Sequence, residues 1–293
     1  MIKNPALTNL KTNSPNAKAW QRFRRHPLAL LGLFLFSLIC LLALFAPLIE
    51  RYEPNKINLR DKFQPPSAQH FLGTDRVGRD IWSRTLHGGR ISLLVGFAAA
   101  AVSMLIGIIL GGLSGYYGGW VDMLLMRFTD VIMTFPQVVI ILTVATFVGQ
   151  GIVNVILLIG LFSWPGTARL VRGQVLALRE EQFVLAAQSL GARDSSVIFK
   201  HIMPSVIAPL LASVTFAING AILLEAGLSF LGVGIPLPTA SWGNMLETAR
   251  SLDILQDGPW MWIPPALMIL INVLAVNFIG DGLRDALDPK HMA

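Results

Sequence analysis

Six uncharged, apolar runs dominate the chain: Leu28–Ile49, Ile91–Leu113, Val131–Val148, Ile152–Ala168, Val206–Leu224 and Met261–Gly280. A helix needs roughly 20 apolar residues to cross about 30 Å of hydrocarbon, and each run is about that long. A soluble core might bury one or two such runs, but not six. Over 293 residues only 14% are charged, against about 25% in ordinary soluble domains, and the mean hydropathy is +0.61. The expected fold class is therefore all-α, a polytopic membrane protein with six transmembrane helices. The single cysteine, Cys40, lies inside the first run, so the chain can build neither a disulfide framework nor a cysteine metal cluster.

Arg22, Arg24 and Arg25 precede the first run, as in a secretory leader, but that run is longer than a leader's apolar core of about 7–15 residues and lacks a small-residue cleavage pattern. It is read as a retained span. A further uncharged stretch, Ala226–Leu246, holds four glycines with Pro236 and Pro238. Such a backbone facing lipid would leave polar groups unsatisfied, so its first part is read as the end of span five and the rest as an external loop or re-entrant segment.

Lysine and arginine set the expected orientation. Six basic residues and no acid occupy the N-terminal tail (Lys3, Lys11, Lys18, Arg22, Arg24, Arg25), and five lie in Arg169–Pro204. Glu225–Trp260 carries Arg250 alone, while the C-terminal end carries Arg284 and Lys290. Both termini and the Glu180 segment are placed in the cytoplasm. The expected organisation is a cytoplasmic tail over 1–27, a first span over 28–49, an extracytoplasmic loop over 50–90, a five-helix core over 91–283 with a cytoplasmic segment at 180–204, and a cytoplasmic tail over 284–293. The loop Arg51–Arg90 resists this scheme, with eight basic residues against four acids; pairing within a folded loop is the one account offered.

Little in the sequence suggests catalysis. A G-x-x-x-x-G-K-[ST] phosphate loop is absent, no serine sits in a nucleophile elbow, and His26, His70, His87, His201 and His291 lack metal-ligand spacing. The chain is expected to be no enzyme and to bind no nucleic acid; its basic pI of about 9.8 reflects juxtamembrane charges beside membrane lipid. Among the acids in or near spans, Asp122 and Asp130 are expected to pair locally around Arg127, and Asp281 and Asp285 to bracket Arg284 at a helix end. Channels and transporters often carry ionisable groups along their path, so Glu225 has two readings: a solvated helix-end carboxylate, or a residue facing such a translocation path at its outer mouth. Asn219, upstream in the same span, is a second path candidate. Gly107, Gly111, Gly112 and Gly115 are expected to allow close helix packing.

The stretch Glu180–Ser205, "EEQFVLAAQSLGARDSSVIFKHIMPS", interrupts this apolar chain with charge. Phe183, Ala187 and Leu190 recur at helical spacing, predicting a short amphipathic helix. Gly191 falls where a helix end wants positive φ. Asp194 is placed to cap a second short helix carrying Val197, Ile198 and Ile202 and ending before Pro204. Small Ala186 and Ala187 leave a shallow surface suited to a partner's groove.

"LAAQSLGA" followed by "IMP" resembles the EAA loop of ATP-binding-cassette importer permeases, with Ala186, Ala187, Gly191 and Pro204 on the motif. The motif's glutamate is replaced by Leu185, and its isoleucine comes one place late, at Ile202. Phe71–Gly96, Glu225–Leu246 and Asn277–Lys290 resemble the second permease subunit of dipeptide, oligopeptide and nickel importers. The resemblance implies the type I importer permease fold in a bacterial inner membrane. It implies a heterodimer with a sister permease, two cytoplasmic ATPases and an extracytoplasmic substrate-binding protein, with ATP and magnesium held in the ATPases and no cofactor in this chain. The ATPase-coupling residues would be Glu181, Phe183, Ala186, Ala187, Leu190, Gly191, Ala192 and Pro204. Two alternatives stand beside peptide import: the same architecture carrying nickel chelates, glutathione or other small solutes, and a secondary transporter driven by an ion gradient, which would need intramembrane acids such as Glu225 and Asp130.

Overall fold

The computed structural model describes residues 20–287. The tail residues Lys3, Lys11 and Lys18, and Lys290 and His291 at the other end, lie outside the described residues. Helices α1 (Pro27–Leu44) and α2 (Ala46–Ile49) form the first span, followed by a folded loop and then α3 (Ile81–Tyr117). Helices α4 (Gly119–Thr134) and α5 (Gln137–Val148) lead to α6 (Ile152–Leu178) and the short α7 (Gln182–Ser189). Helix α8 (Met203–Phe230), the short α9 (Trp242–Leu246) and α10 (Leu252–Asp257), and finally α11 (Pro259–Leu287) complete the chain. Among the described residues, five helices are long and apolar enough to cross a membrane, and the pair α4–α5 makes a sixth if counted as one span.

That pair corrects the third expected span. Val131–Val148 is one apolar run in sequence, but the chain bends by 83° between α4 and α5. Pro136 has no N–H to donate and pushes Phe135 out of the helical region (φ −97°, ψ 143°). Val131–Thr134 therefore belong to α4, which also contains Asp122 and Asp130.

Helix α3 starts at Ile81, ten residues before the expected span, and its 37 residues extend about 55 Å at 1.5 Å per residue. Asp80 starts it, its Oδ2 accepting from Ser83 N at 2.8 Å. Helices α3 and α6 pack along most of their length. Gly107, Gly111 and Gly115 face α6 so closely that a Cβ on Gly107 would stand 2.6 Å from Thr167 Cβ, and one on Gly115 2.8 Å from Val175 Cβ. This is the small-residue approach the sequence suggested. Gly112 meets only Met203 Cε, at 3.7 Å, and is not part of that contact.

The core falls into layers along the bundle. Its middle joins Val95 and Ala99 of α3, Ile141 and Ala145 of α5, Val155 and Ile159 of α6, and Leu228 of α8. A second group joins α1, α8 and α11 through Ile39, Ile218, Ile222 and Ile269, with Trp242 of α9. Phe23, Ala29 and Ala286 pack together, and His26 lies 3.6 Å from Asp285, so the described ends of the chain share one end of the bundle, called here the terminal end. The connection between α6 and α8 is also at this end. Residues 50–80, α9 and α10 occupy the opposite end.

The loop at that opposite end is folded. His70 Nδ1 and Asp80 Oδ1 are 2.8 Å apart, and Thr74 forms an antiparallel bridge with Asp80. Arg79 Nε donates to Asp75 Oδ2 at 2.6 Å, and Arg51 donates to Ala68 O and stacks over Phe71. Arg84, 3% exposed, donates to Pro54 O, Asn55 Oδ1 and Pro238 O at 3.2–3.3 Å. Arg76 pairs with Asp253, and the Ser251 hydroxyl together with Arg76 holds that carboxylate below its ordinary pKa. Half of the eight basic residues of this loop are thus engaged by acids, carbonyls or an aromatic ring. Of these, Arg76 alone reaches an acid outside the loop, so pairing offsets one charge of the excess that the orientation rule left over.

Candidate functional site: a docking segment and a buried carboxylate

The segment between α6 and α8 is built around one anchor. Val184 of α7 is fully buried and packs with Val171, Val175, Val197, Ile202 and Val206. The expected amphipathic face was set one residue out of phase: Phe183 and Leu190 point outward, Leu190 at 89% exposure, with Leu185 and Phe199 exposed beside them. Glu181, Ala186, Gly191 and Pro204 are also exposed, while Ala187 and Ala192 are half-buried.

Helix α7 ends as its glycine implies. Gly191 adopts φ +79°, its N–H donates to Gln188 O at 2.9 Å, and Ala192 N donates to Ala187 O at 3.1 Å. These two bonds close a Schellman end, leaving Leu190 and Gly191 at an open tip where a Cβ on Gly191 would meet nothing within 4 Å.

Two expectations here need correction. Asp194 caps nothing with its side chain; it is the first residue of the turn Asp194–Ser196, and its Oδ1 accepts from Tyr116 Oη at 2.8 Å. Tyr116 also receives Gln188 Nε2 at 3.5 Å, so the end of α3 is tied to both halves of the segment. Nor does the second helix end before Pro204. Val197–Ile202 forms π turns, with Met203 N reaching back to Ile198 O, and runs directly into α8. Pro204 sits in the first turn of α8. The segment is therefore joined without a break to α8 and, through Arg179 donating to Gly115 O at 3.2 Å, to α3.

The acids of α4 do not pair locally around Arg127. Asp122 receives Arg172 of α6 through Nε at 2.5 Å and Nη2 at 2.6 Å, and also Ser114. Asp130 receives Arg169 Nη2 at 2.6 Å. Both carboxylates tie α4 to α6.

At the other end of α8, Glu225 is fully buried, which fits neither a solvated carboxylate nor one facing an open mouth. Its Oε1 accepts from Ser229 and Ser241 at 2.8 Å each, and its Oε2 from Ser92 at 2.9 Å. Each serine oxygen in turn accepts a backbone N–H of the segment that follows α8: Ile235 at 3.2 Å, Asn244 at 3.1 Å and Trp242 at 3.1 Å, respectively. The carboxyl group thus organises the turn between α8 and α9, and α9 is almost wholly buried. Trp242 Nε1 donates to Thr85 O at 3.0 Å and its ring lies against Gly88 and Gly89. Asn219, 5% exposed, donates to Val273 O at 3.1 Å and Asn277 Oδ1 at 2.9 Å, so it joins α8 to α11 inside this chain and faces no open path there.

Sequence reasoning missed Ser92, Ser229 and Ser241 around Glu225, the anchor Val184 and the Tyr116–Asp194 link. A serine-rich setting in otherwise apolar helices was a signal available for the first group; the others depend on contacts between distant helices.

The comparisons agree with this architecture. Residues 91–292 match the family described as binding-protein-dependent transport system inner membrane component, and residues 14–66 match the N-terminal transmembrane domain of oligopeptide transport permease C. The chain is 44% identical over 279 residues, 95% of its length and 92% of the relative's, to a putative peptide permease protein of Brucella suis biovar 1 (strain 1330). It is 43% identical over 98% of its length and 96% of the relative's to the oligopeptide transport system permease protein OppC of Bacillus subtilis (strain 168). Identity is 40%, over 94% of this chain and 90% of the relative, to the dipeptide transport system permease protein DppC of Alkalihalophilus pseudofirmus. The chain belongs to the inner-membrane permease family of binding-protein-dependent transport systems, as a multi-pass membrane subunit.

Proposed function

We propose that the chain is one of two permease subunits of an ATP-driven, binding-protein-dependent importer of di- and oligopeptides. Relatives named for oligopeptide and dipeptide transport, each matched over at least 90% of its length, support the cargo class. The partners are a sister permease, two ATPases, which hold the ATP and magnesium, and a substrate-binding protein. The terminal end faces the cytoplasm, in keeping with the basic residues around α7, and residues 50–80 with α9 and α10 face outward. This chain carries out no ATP chemistry; it receives motion through α7.

The observation that carries the coupling role is the α7 tip. Leu190 is exposed beside a positive-φ glycine and Phe183 and Phe199 are exposed elsewhere on the same segment, while Val184 fastens it into the core. An apolar tip in water is costly unless a partner covers it, and its rigid connection to α8 offers a lever running across the bundle to Glu225. Accumulation of a labelled tripeptide by proteoliposomes containing all partners tests the reading. Uptake should require ATP, the binding protein and both permeases. Accumulation by this chain alone under a proton or sodium gradient would contradict it.

A further inference from the structure

A cavity of about 360 Å³ opens at the end of the bundle built from residues 50–80, α9 and α10, and Arg76, Arg79, Arg84 and Arg250 all line it. Three of these arginines have acids of their own. Arg79 Nε donates to Asp75 Oδ2 at 2.6 Å, Arg250 Nη1 lies 3.7 Å from Glu247 Oε1, and Arg76 pairs with Asp253. Arg84 differs. It is the most deeply buried of the four, at 3% exposure, and among the described residues it pairs with no carboxylate. Its three hydrogen bonds, to Pro54 O, Asn55 Oδ1 and Pro238 O, all leave from Nη1 at 3.2–3.3 Å. A guanidinium carries five N–H donors in a fixed fork and grips a carboxylate through two parallel bonds. The Nε–Nη2 edge of Arg84 is such a fork, and it has no partner among the described residues. Asp75, on the same cavity, is already engaged: besides Arg79 Nε, it accepts the N–H groups of Val77 and Arg79 at 2.9 Å each.

A charge taken out of water is costly unless an opposite charge stands against it, and three neutral oxygens supply only part of that compensation. The local balance is also uneven. Four guanidiniums face Asp75, Glu247 and the Asp253 that holds Arg76, which leaves one positive charge in surplus. A monoanion cancels that surplus, whereas a dianion overshoots it. The walls narrow the ligand further, because Ile81, Leu237, Met245, Ile254 and Met261 set apolar surface beside the arginines. A carboxylate on a short aliphatic stem matches both features, with its charge on Arg84 and its methylenes along the walls.

We infer that this cavity is a carboxylate-binding site, with the Nε–Nη2 edge of Arg84 as its principal contact. A solute in the water at this face and an acidic side chain of the docked binding protein carry the same group, and experiment separates the two. The site itself stands apart from the peptide-import reading; only the choice of source rests on it.

The test uses the complete complex of permeases and ATPases in lipid nanodiscs. Thr248, half-buried on the cavity wall, is replaced by cysteine in a Cys40→Ala background, and modification is read from the mass of this chain. Relative to their rates with a free thiol, an anionic methanethiosulfonate should react severalfold faster than a cationic one at low ionic strength. Arg84→Met should abolish that preference, since it leaves three cations against three acids. Arg84 also holds Pro54 and Asn55, so a second variant keeps it in place. Leu237→Glu, at an exposed position on the wall, supplies a carboxylate from within the chain and should abolish the preference equally. Excess sodium acetate should slow the anionic reagent severalfold more than sodium chloride of equal ionic strength, and this difference should vanish in Leu237→Glu. An unreactive cysteine, no charge preference, or equal slowing by acetate and chloride would overturn the site.

The source is read by protection. Slowing by a tripeptide but not by its C-terminal amide assigns the carboxylate to a solute. Slowing by the unloaded binding protein alone, lost in Leu237→Glu, assigns it to a protein side chain. Protection by neither would overturn both assignments even with acetate effective. Failure of the wild-type complex to accumulate tripeptide with ATP and binding protein would strike the peptide-import reading and leave the acetate result standing.

Discussion

Glu225 Oε1 accepts a hydrogen bond from Ser241 Oγ at 2.8 Å, joining the end of α8 to the start of the α9 turn. Through Ser92, Ser229 and Ser241 the same carboxyl group fixes three backbone N–H groups of the segment that follows α8. Removing it leaves buried hydroxyls without an acceptor, at roughly 1–3 kcal/mol each. Glu225→Ala is expected to lower the thermal midpoint of the purified complex by several degrees and to expose residues 231–241 to protease, with membrane insertion intact. Glu225→Gln, which turns one acceptor into a donor aimed at a hydroxyl, should fall between the two. Unchanged stability and protease protection in Glu225→Ala would show that the network does not hold the turn.

Arg84, itself buried, makes a similar connection at the same end, linking Pro54 and Asn55 of the first loop to Pro238 of the segment after α8. Hydrogen bonds to a charged group contribute about 1.5–3 kcal/mol. Arg84→Met keeps most of the stem and should loosen residues 51–60, seen as faster amide exchange there, while exchange at α7 stays at the wild-type rate. Equal exchange in both regions of wild type and variant would remove Arg84 from this role.

Gly111 fills the tightest point of the α3–α6 contact, where an added Cβ would overlap the Ala168 carbonyl. Overpacking a close contact typically costs about 1–3 kcal/mol, and backbone on both sides leaves little room to relax. Gly111→Leu is expected to reduce the yield of folded subunit, whereas Gly112→Ala, beside open space and Met203, should not. Equal yields by size-exclusion chromatography would contradict the packing account.

The membrane architecture was readable because an apolar run is a local property of the chain. The start of α3 was not, because Arg84, His87 and Arg90 look like loop residues until Arg84 finds carbonyls and His87 finds Glu50. The bend at Pro136 was visible as a proline inside a run, yet composition alone favoured one continuous span. In the segment between α6 and α8, the C-terminal glycine was legible since positive φ is demanded locally. The phase of an eight-residue helix was not: Phe183 and Val184 are equally apolar, and only packing against α6 and α8 selects Val184. Glu225 stood out by its isolation, but Ser92, its partner 133 residues away, could not be read from neighbours. Asp130 illustrates the same limit, since Arg127 was the nearer cation in sequence and Arg169 the one in space.

The proposed orientation has a direct chemical test. In a Cys40→Ala background, Ser67→Cys lies exposed in the first loop and Ser189→Cys lies exposed on α7. In intact cells an impermeant maleimide should label the first and leave the second untouched until the membrane is opened. The reverse pattern would invert the topology.

The central claim is that α7 and its Gly191 tip dock into an ATPase and pass its motion to α8, and co-purification of the ATPases with the permeases in detergent tests it most directly. Gly191 holds φ +79°, a conformation that costs a branched residue roughly 1–2 kcal/mol, and a bulky side chain at Ala187 would stand between the segment and its groove at about 1–3 kcal/mol. Taken singly, each change corresponds to roughly a fivefold to hundredfold loss of affinity, at 1.4 kcal/mol per tenfold. Gly191→Val and Ala187→Trp should therefore keep the sister permease and lose the ATPases, with uptake abolished, while Lys200→Ala, an exposed residue beside the segment, should retain both. Full ATPase recovery and wild-type uptake in the two bulky variants would contradict the account.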